Sequence, residues 1–191
     1  MFGFRRWSEA LDSTGCDPWA FVRERWLQLN VENIGDRAAL MLGTGLGVGF
    51  SRWVPGTVGT LWGLPLVWGL DHLGLSFVIR LLICVVLFIV GVPICARAAQ
   101  VLGKDDPGAV VFDEIAALPL VFLVIPLSEL NVTAMVAGFL WFRLFDITKP
   151  WPVRLFDRWH GGLGIMADDT AAALYAAAAL WLTVQGLAWL T

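Results

Sequence analysis

The chain has 191 residues and a mass of 21.0 kDa, which is enough for one domain. Apolar residues make up 58% of it and charged residues only 15%, whereas ordinary globular domains have roughly 45–50% and about 25%. The mean hydropathy of +0.74 indicates an integral membrane protein and excludes the soluble, disordered and fibrous classes. The net charge of −3 argues against nucleic acid as a partner, because nucleic-acid binding needs a basic face.

Residues 1–37 are the only stretch of ordinary soluble composition. They hold five of the 13 basic residues and six of the 16 acidic residues. We interpret them as a cytoplasmic N-terminal arm with a short amphipathic helix around Trp19–Leu29 that lies on the membrane surface. Residues 38–191 are predicted to form one membrane-embedded domain.

Uncharged runs define the predicted membrane segments beyond residue 37. Ala38–Ser51 is too short to span and too rich in glycine for a good helix, so we expect a re-entrant or interfacial segment. Five predicted spans follow it: Trp53–Leu70, Leu73–Ala96, Gly108–Ser128, Leu130–Ile147 and Thr170–Leu190. The predicted fold class is therefore all-α, a polytopic membrane helix bundle with about five transmembrane helices.

The basic residues predict the orientation of this bundle. If Arg52 is placed on one side of the membrane, 12 of the 13 Lys and Arg residues fall on that side and only Arg80 falls on the other. The richer side is expected to be the cytoplasm. The same alternation of spans places the charged residues inside or beside the membrane segments at the cytoplasmic ends of the helices.

Four carboxylates are predicted to lie at one depth. Asp113 and Glu114 fall inside a predicted span, and Asp168 and Asp169 directly precede the last one. Charges in a membrane span cost several kcal/mol unless they are paired or solvated. A hard dication with oxygen ligands, such as Mg²⁺, would offset these charges. Two structural alternatives remain open: an ion pair between the first two acids and Arg143, and stabilisation of the last two by a helix dipole.

Arg143, Asp146 and Lys149 follow one another at positions i, i+3 and i+6. On a helix they fall within an arc of about 120° and share one face. The two cations would bind a phosphate well if the carboxylate orients the arginine. The alternative is that the charged side chains of this face only extend toward the membrane interface and take no part in catalysis.

A Pro-Gly segment opens the first predicted membrane helix. Glycines let backbone N–H groups approach an anion, and a helix N-terminus favours negative charge. The candidate substrate-binding residues of this segment are Pro55, Gly56, Thr57, Gly59 and Thr60. His160 is a further candidate, because it could bind a lipid headgroup, although the following Gly161-Gly162 is also typical of a turn.

These motifs occur together, in the same order and spacing, in one known family. The sequence resembles the phosphatidylglycerophosphatase A family over about residues 38–190. Four blocks carry the resemblance: Trp53-Val-Pro-Gly-Thr-Val-Gly59, Phe112-Asp-Glu-Ile115, Phe142-Arg-Leu-Phe-Asp-Ile-Thr-Lys-Pro-Trp-Pro152 with Phe156-Asp-Arg158, and His160-Gly-Gly-Leu-Gly-Ile-Met-Ala-Asp-Asp169.

The resemblance implies a bacterial inner-membrane enzyme with its active site on the cytoplasmic side. Such an enzyme depends on Mg²⁺ and converts phosphatidylglycerophosphate to phosphatidylglycerol, a cardiolipin precursor, in phospholipid biosynthesis. We therefore expect a lipid substrate and membrane lipids as partners, and no protein partner.

We expect Asp113, Glu114, Asp168 and Asp169 to hold the metal. Arg143 and Lys149 would bind the phosphate, and Asp146 would orient them or activate a water molecule.

Two alternatives compete with a phosphatase. A phosphatidyl transferase uses a long Asp-Gly…Ala-Arg…Gly…Asp…Asp signature, which the sequence lacks. A small transporter or channel would also place charges inside spans, but it needs them along a path to both faces. Here the charges are predicted to lie at one face, which favours the enzyme.

Overall fold

The computed structural model of the protein describes residues 31, 33–51, 54–126 and 129–190, with side chains up to residue 186. Every regular element among them is helical, so the all-α class is confirmed. The α-helices are α1 (Ile34–Gly43), α2 (Pro55–His72), α3 (Phe77–Leu102), α4 (Phe112–Val121), α5 (Val132–Thr148), α6 (Val153–Phe156) and α7 (Gly161–Leu190), and Val48–Phe50 form a 3₁₀ turn. The amphipathic helix predicted around Trp19–Leu29 lies outside the described residues, and the domain boundary after residue 37 stays a prediction.

Local signals set the ends of the long helices. Pro55 begins α2, where its missing N–H is no loss. The side chains of Ser76 and Asn131 accept hydrogen bonds from the first turns of α3 and α5. Gly103 ends α3 in the left-handed conformation, with φ of 69°. These three helices lie close to the predicted runs.

Two helices, α3 and α7 over Gly161–Gly186, are long and apolar enough to cross a membrane. Several large apolar side chains of α3 are exposed, among them Val78, Leu82, Val86 and Ile89. An apolar surface of this kind indicates association with a membrane. The full set of five spans stays a prediction.

The predicted span Gly108–Ser128 is not one helix, and in this respect the prediction is wrong. Helix α4 has only 10 residues, a length of about 15 Å against a hydrocarbon core of ~30 Å. The chain continues in tight turns, in which the N–H of Ile125 donates to the carbonyl of Phe122 at 3.3 Å. Pro126 lacks an N–H and disfavours a helical residue before it, so the helix does not resume there.

Two further helix boundaries differ from the sequence prediction. Residues 38–43 belong to α1, whereas a poor helix was expected there; only after Gly43 do Gly45 and Gly47, with φ of 56° and 94°, turn the chain. Helix α7 begins at Gly161 and not at Thr170. Asp168 and Asp169 therefore lie in its third turn, beyond the reach of the helix dipole, and that alternative for them is wrong.

Helix α7 forms the centre of the bundle and packs against α3, α4 and α5. Its alanines Ala172, Ala173 and Ala176 are fully buried beside Phe122 and Phe142. Small side chains on the central helix let its neighbours approach closely. The positions of the acids on α7 are consequently fixed relative to all three neighbours.

A glycine near the start of α7 tests this packing. A Cβ at Gly162 would lie 1.9 Å from the backbone carbonyl oxygen of Val92, whereas a Cβ at Gly186 on the same helix would meet nothing within 4 Å. We expect Gly162→Ala to lower the free energy of unfolding by about 1–3 kcal/mol, because the helices must separate. Gly186→Ala should leave it unchanged or slightly raised. Thermal unfolding in detergent measures both, and equal midpoints would contradict the packing described.

Candidate active site

The helices run alternately up and down, so five helix ends meet at one end of the bundle. These are the starts of α2, α4 and α7 and the ends of α3 and α5. Side chains from three of these ends contact one another there: Thr60 from α2, Glu114 from α4 and Arg143 from α5. Charged residues predicted to lie at a common depth are thus brought together.

Arg143 is the centre of the first group of contacts. Its Nη1 lies 3.0 Å from Oε1 of Glu114, 2.7 Å from Oδ2 of Asp146 and 3.3 Å from Oγ1 of Thr60. All three charged side chains are largely buried, with 12–14% of each exposed. The Nε of Arg143 has no hydrogen-bond partner among the described residues. One nitrogen of the guanidinium is therefore held by carboxylates, while a second, buried nitrogen has no partner among the described residues.

The first turns of α2 pack directly against this ion pair. A Cβ at Gly56 would lie 2.3 Å from Oε1 of Glu114 and 3.1 Å from Nη2 of Arg143. A Cβ at Gly59 would lie 2.6 Å from the Cβ of Val111. The hydroxyl of Thr60 reaches both the carbonyl of Gly56, at 2.9 Å, and Oε2 of Glu114, at 3.0 Å. The glycines thus provide room for the buried charges.

Pro55 and Thr57, the other two candidates in this segment, are half-buried in the same first turn of α2. Among the residues that the structure describes, no side chain forms a cap hydrogen bond at this helix N-terminus. The segment opens a helix, as predicted, and its proposed contact with an anion stays a prediction.

Lys149 departs from the predicted helical face. It is the residue that ends α5, in the left-handed conformation with φ of 41°, so its side chain leaves the direction of Arg143 and Asp146. Its Nζ donates instead to Oδ2 of Asp168 at 2.7 Å and to Oδ1 of Asp157. Burial opposes the charged form of Lys149, but the two hydrogen bonds outweigh it and hold the pKa of the ammonium above its ordinary value.

Three buried carboxylates each keep one oxygen without a partner. These oxygens are Oδ1 of Asp113, Oδ1 of Asp168 and Oδ2 of Asp169. The three residues as a whole are 4–9% exposed, and Asp169 interacts electrostatically with Asp113, Glu114, Asp146 and Asp168. Buried, unpaired carboxylate oxygens are costly, and hard dications prefer oxygen ligands, so the donor set fits Mg²⁺. The described residues contain no group of three or more such ligands already gathered around one metal position.

A polar cavity of about 400 Å³ opens beside Asp168. His160 lies on its wall, exposed, directly before the start of α7. The residues lining it are Asp105, Asp106, Asp157, Arg158, Trp159, His160, Gly164, Ile165 and Asp168. Four of the lining side chains are carboxylates, and Arg158 is a cation among them.

Asp157 is the site residue that sequence reasoning missed. It was quoted only as part of a family block, without a role of its own. A signal existed, because Asp157 follows Lys149 by eight residues across two prolines, Pro150 and Pro152, which turn the chain back. The pairing itself depends on how Lys149 ends α5, and the sequence does not reveal that.

Comparisons with known proteins indicate the family of the chain. A family model described as phosphatidylglycerophosphatase A matches residues 41–184. Phosphatidylglycerophosphatase A of Escherichia coli (strain K12) is 38% identical over 145 residues, which cover 74% of this chain and 80% of that protein. The Haemophilus influenzae protein of the same name is 39% identical over 139 residues, 71% of this chain and 82% of that protein.

A third relative has a different name. A Bacteroides thetaiotaomicron protein, provisionally named a phosphatidylinositol-3-phosphatase, is 34% identical over 139 residues, 71% of this chain and 87% of that protein. No solved structure matches the chain. The family model and the two relatives that share its name cover most of the sequence, and the chain belongs to the phosphatidylglycerophosphatase A family of phosphatases.

Proposed function

We propose that the protein hydrolyses the terminal phosphate of phosphatidylglycerophosphate to give phosphatidylglycerol and inorganic phosphate, with Mg²⁺ as cofactor. The names of two relatives support the substrate. The observation that carries the proposal is the group of largely buried cations and carboxylates at one end of the bundle, with an unpartnered donor on Arg143 and unpartnered oxygens on three acids.

Arg143 would bind the phosphate dianion. Glu114 and Asp146 fix its guanidinium through ion pairs with Nη1. The same nitrogen also donates a hydrogen bond to the hydroxyl of Thr60. A guanidinium fixed in this way contacts two phosphate oxygens without loss of rotamer freedom at the moment of binding. Lys149, which faces Asp168, would add a second positive charge.

Asp113, Glu114, Asp168 and Asp169 would hold the Mg²⁺. The three carboxylate oxygens without partners support this assignment. The chemistry that these residues would gain from the ion is polarisation of a phosphoryl oxygen and stabilisation of charge in the transition state. Occupation by the ion requires the side chains to move toward a common centre, because they are not gathered around one now.

Water is the proposed nucleophile. Its oxygen attacks phosphorus, the bond from phosphorus to the glycerol oxygen breaks, and that oxygen takes a proton to become the hydroxyl of phosphatidylglycerol. Asp146 would orient Arg143, which it contacts at 2.7 Å, or accept the proton of the attacking water.

The enzyme would act at the cytoplasmic face of a bacterial inner membrane, as a multi-pass protein in phospholipid biosynthesis. The exposed apolar face of α3 and the excess of basic residues on one predicted side support this location.

Phosphate release by the purified protein in mixed micelles tests the substrate and the metal together. We expect release from phosphatidylglycerophosphate with Mg²⁺ and none with chelator. Asp169→Asn should remove activity without loss of folding, whereas Asp71→Asn, at the other end of α2, should not change it. Full activity in chelator would contradict the metal, and release from phosphatidylinositol 3-phosphate alone would contradict the substrate.

A charge-conserving change at Arg143 tests the phosphate contact. We expect Arg143→Lys to lower kcat/KM at least about tenfold, or 1.4 kcal/mol, because lysine keeps the charge but not the forked geometry. The matched control is Arg154→Lys, an exposed arginine on α6, which should change kcat/KM less than twofold. Equal rates for Arg143→Lys and wild type would make Arg143 a structural partner of Glu114.

A pair of glycine substitutions on α2 tests the geometry around the ion pair. Gly56→Ala places a methyl group within 2.3 Å of Glu114 and should displace the carboxylate from Arg143. We expect kcat/KM to fall about tenfold. Gly69→Ala, which meets nothing within 4 Å, is the control and should keep the wild-type rate. Loss of activity in both variants would point to a general effect on the helix.

A further inference from the structure

Asp157 and Lys149 form a contact that the proposed chemistry does not use. The Nζ of Lys149 donates to Oδ1 of Asp157 and, at 2.7 Å, to Oδ2 of Asp168. The side chain of Asp168 is 10% exposed, whereas that of Asp157 is 42% exposed. The ammonium therefore lies between a buried acceptor and an exposed one.

Both acceptors line the polar cavity of about 400 Å³. The ammonium, which is not itself part of the lining, is thus hydrogen-bonded to two residues of the cavity wall. A solvated ion pair such as the one with Asp157 contributes little to stability, typically 0–1 kcal/mol, so stability alone is a weak reason for it. Its position beside the cavity points to a role in guiding a ligand.

Two features keep Lys149 where an exposed partner can reach it. Its backbone is left-handed, with φ of 41°, a conformation that non-glycine residues seldom adopt. Asp157 directly follows α6 (Val153–Phe156), and its N–H donates to the carbonyl of Val153 at 3.2 Å. The carboxylate is thus presented from an ordered turn, and not from a free loop.

We propose that Asp157 is a positioning residue that holds the ammonium of Lys149 beside the cavity wall, where it adds to the positive charge of Arg158 that an incoming phosphate monoester meets. Without Asp157, the ammonium keeps only Asp168 and withdraws toward the buried acid. The phosphate then loses an early contact, while Arg143 and the acids around it stay as they are. This inference rests on the proposed function.

The kinetic consequence is a change in KM more than in kcat. We expect Asp157→Asn to raise KM for phosphatidylglycerophosphate at least fivefold and to keep kcat within twofold, because uniform binding is lost and the chemical step is not touched. Asp157→Glu keeps the acceptor and should recover at least half of the loss. Asp71→Asn, at the far end of α2, is the control for a lost acidic charge and should leave KM unchanged.

A double-mutant cycle separates positioning from a structural role. In the Lys149→Ala background, Asp157→Asn should change KM less than twofold further, because there is no ammonium left to hold. Effects of equal size in both backgrounds, or an unchanged KM in the single variant, would overturn the inference. If Asp157→Asn does not fold, Asp157→Ser takes its place with the same expected outcomes.

The wild-type measurement separates a failure of the proposed function from a failure of the role given to Asp157. No phosphate release from phosphatidylglycerophosphate by wild-type protein would contradict the proposed function and this inference with it. Release by wild type together with an unchanged KM in Asp157→Asn would contradict only the inference.

Discussion

The buried ion pair between Glu114 and Arg143 constrains the whole site end of the bundle. An isolated charge in an apolar interior costs several kcal/mol, so each of these side chains needs the other in place. Glu114 comes from α4, Arg143 from α5, and Thr60 from α2 contacts both. A shift of one helix along another would separate these atoms, so the pair fixes the register of three helices at once.

Glycine makes this constraint possible on the α2 side. At Gly56 and Gly59 the helix backbone approaches the carboxylate of Glu114 so closely that a methyl group would collide with it. From the sequence alone, these glycines are predicted to bind an anion. The structure shows a different reason for them, which is the close contact of backbone with buried charge, and it leaves anion binding at the same turn as a separate hypothesis.

Much of the fold followed from counting uncharged runs, and the failures have local causes. The helices at Pro55–His72, Phe77–Leu102 and Val132–Thr148 lie close to their predicted runs, because apolar length and capping residues agree there. In the run from 108 to 128 the helix gives way to tight turns after Val121, and Pro126 keeps it from resuming. The last helix begins at Gly161, where its glycine-rich first turn packs closely against α3, whereas counting uncharged runs placed its start after Asp168 and Asp169.

Part of the candidate site was also predictable from the sequence. Alternating helices placed Glu114, Arg143 and Asp146 at one end, and their contacts confirm that placement. The partners of Lys149 were not predictable, because they follow from one left-handed residue and the turn after it. Whether the four acids bind Mg²⁺ stays a prediction.

In the predicted membrane orientation, the placement of these paired charges at one end of the bundle would restrict which lipids the protein can reach. Helix α3, with 26 residues, is about 39 Å long, so the other end of the bundle would lie a full bilayer core away. The acids, Arg143, Lys149 and the cavity would then all face one leaflet. A lipid phosphate in the opposite leaflet would have to cross the membrane before this site could act on it, so the supply of substrate would depend on the leaflet in which that lipid is made.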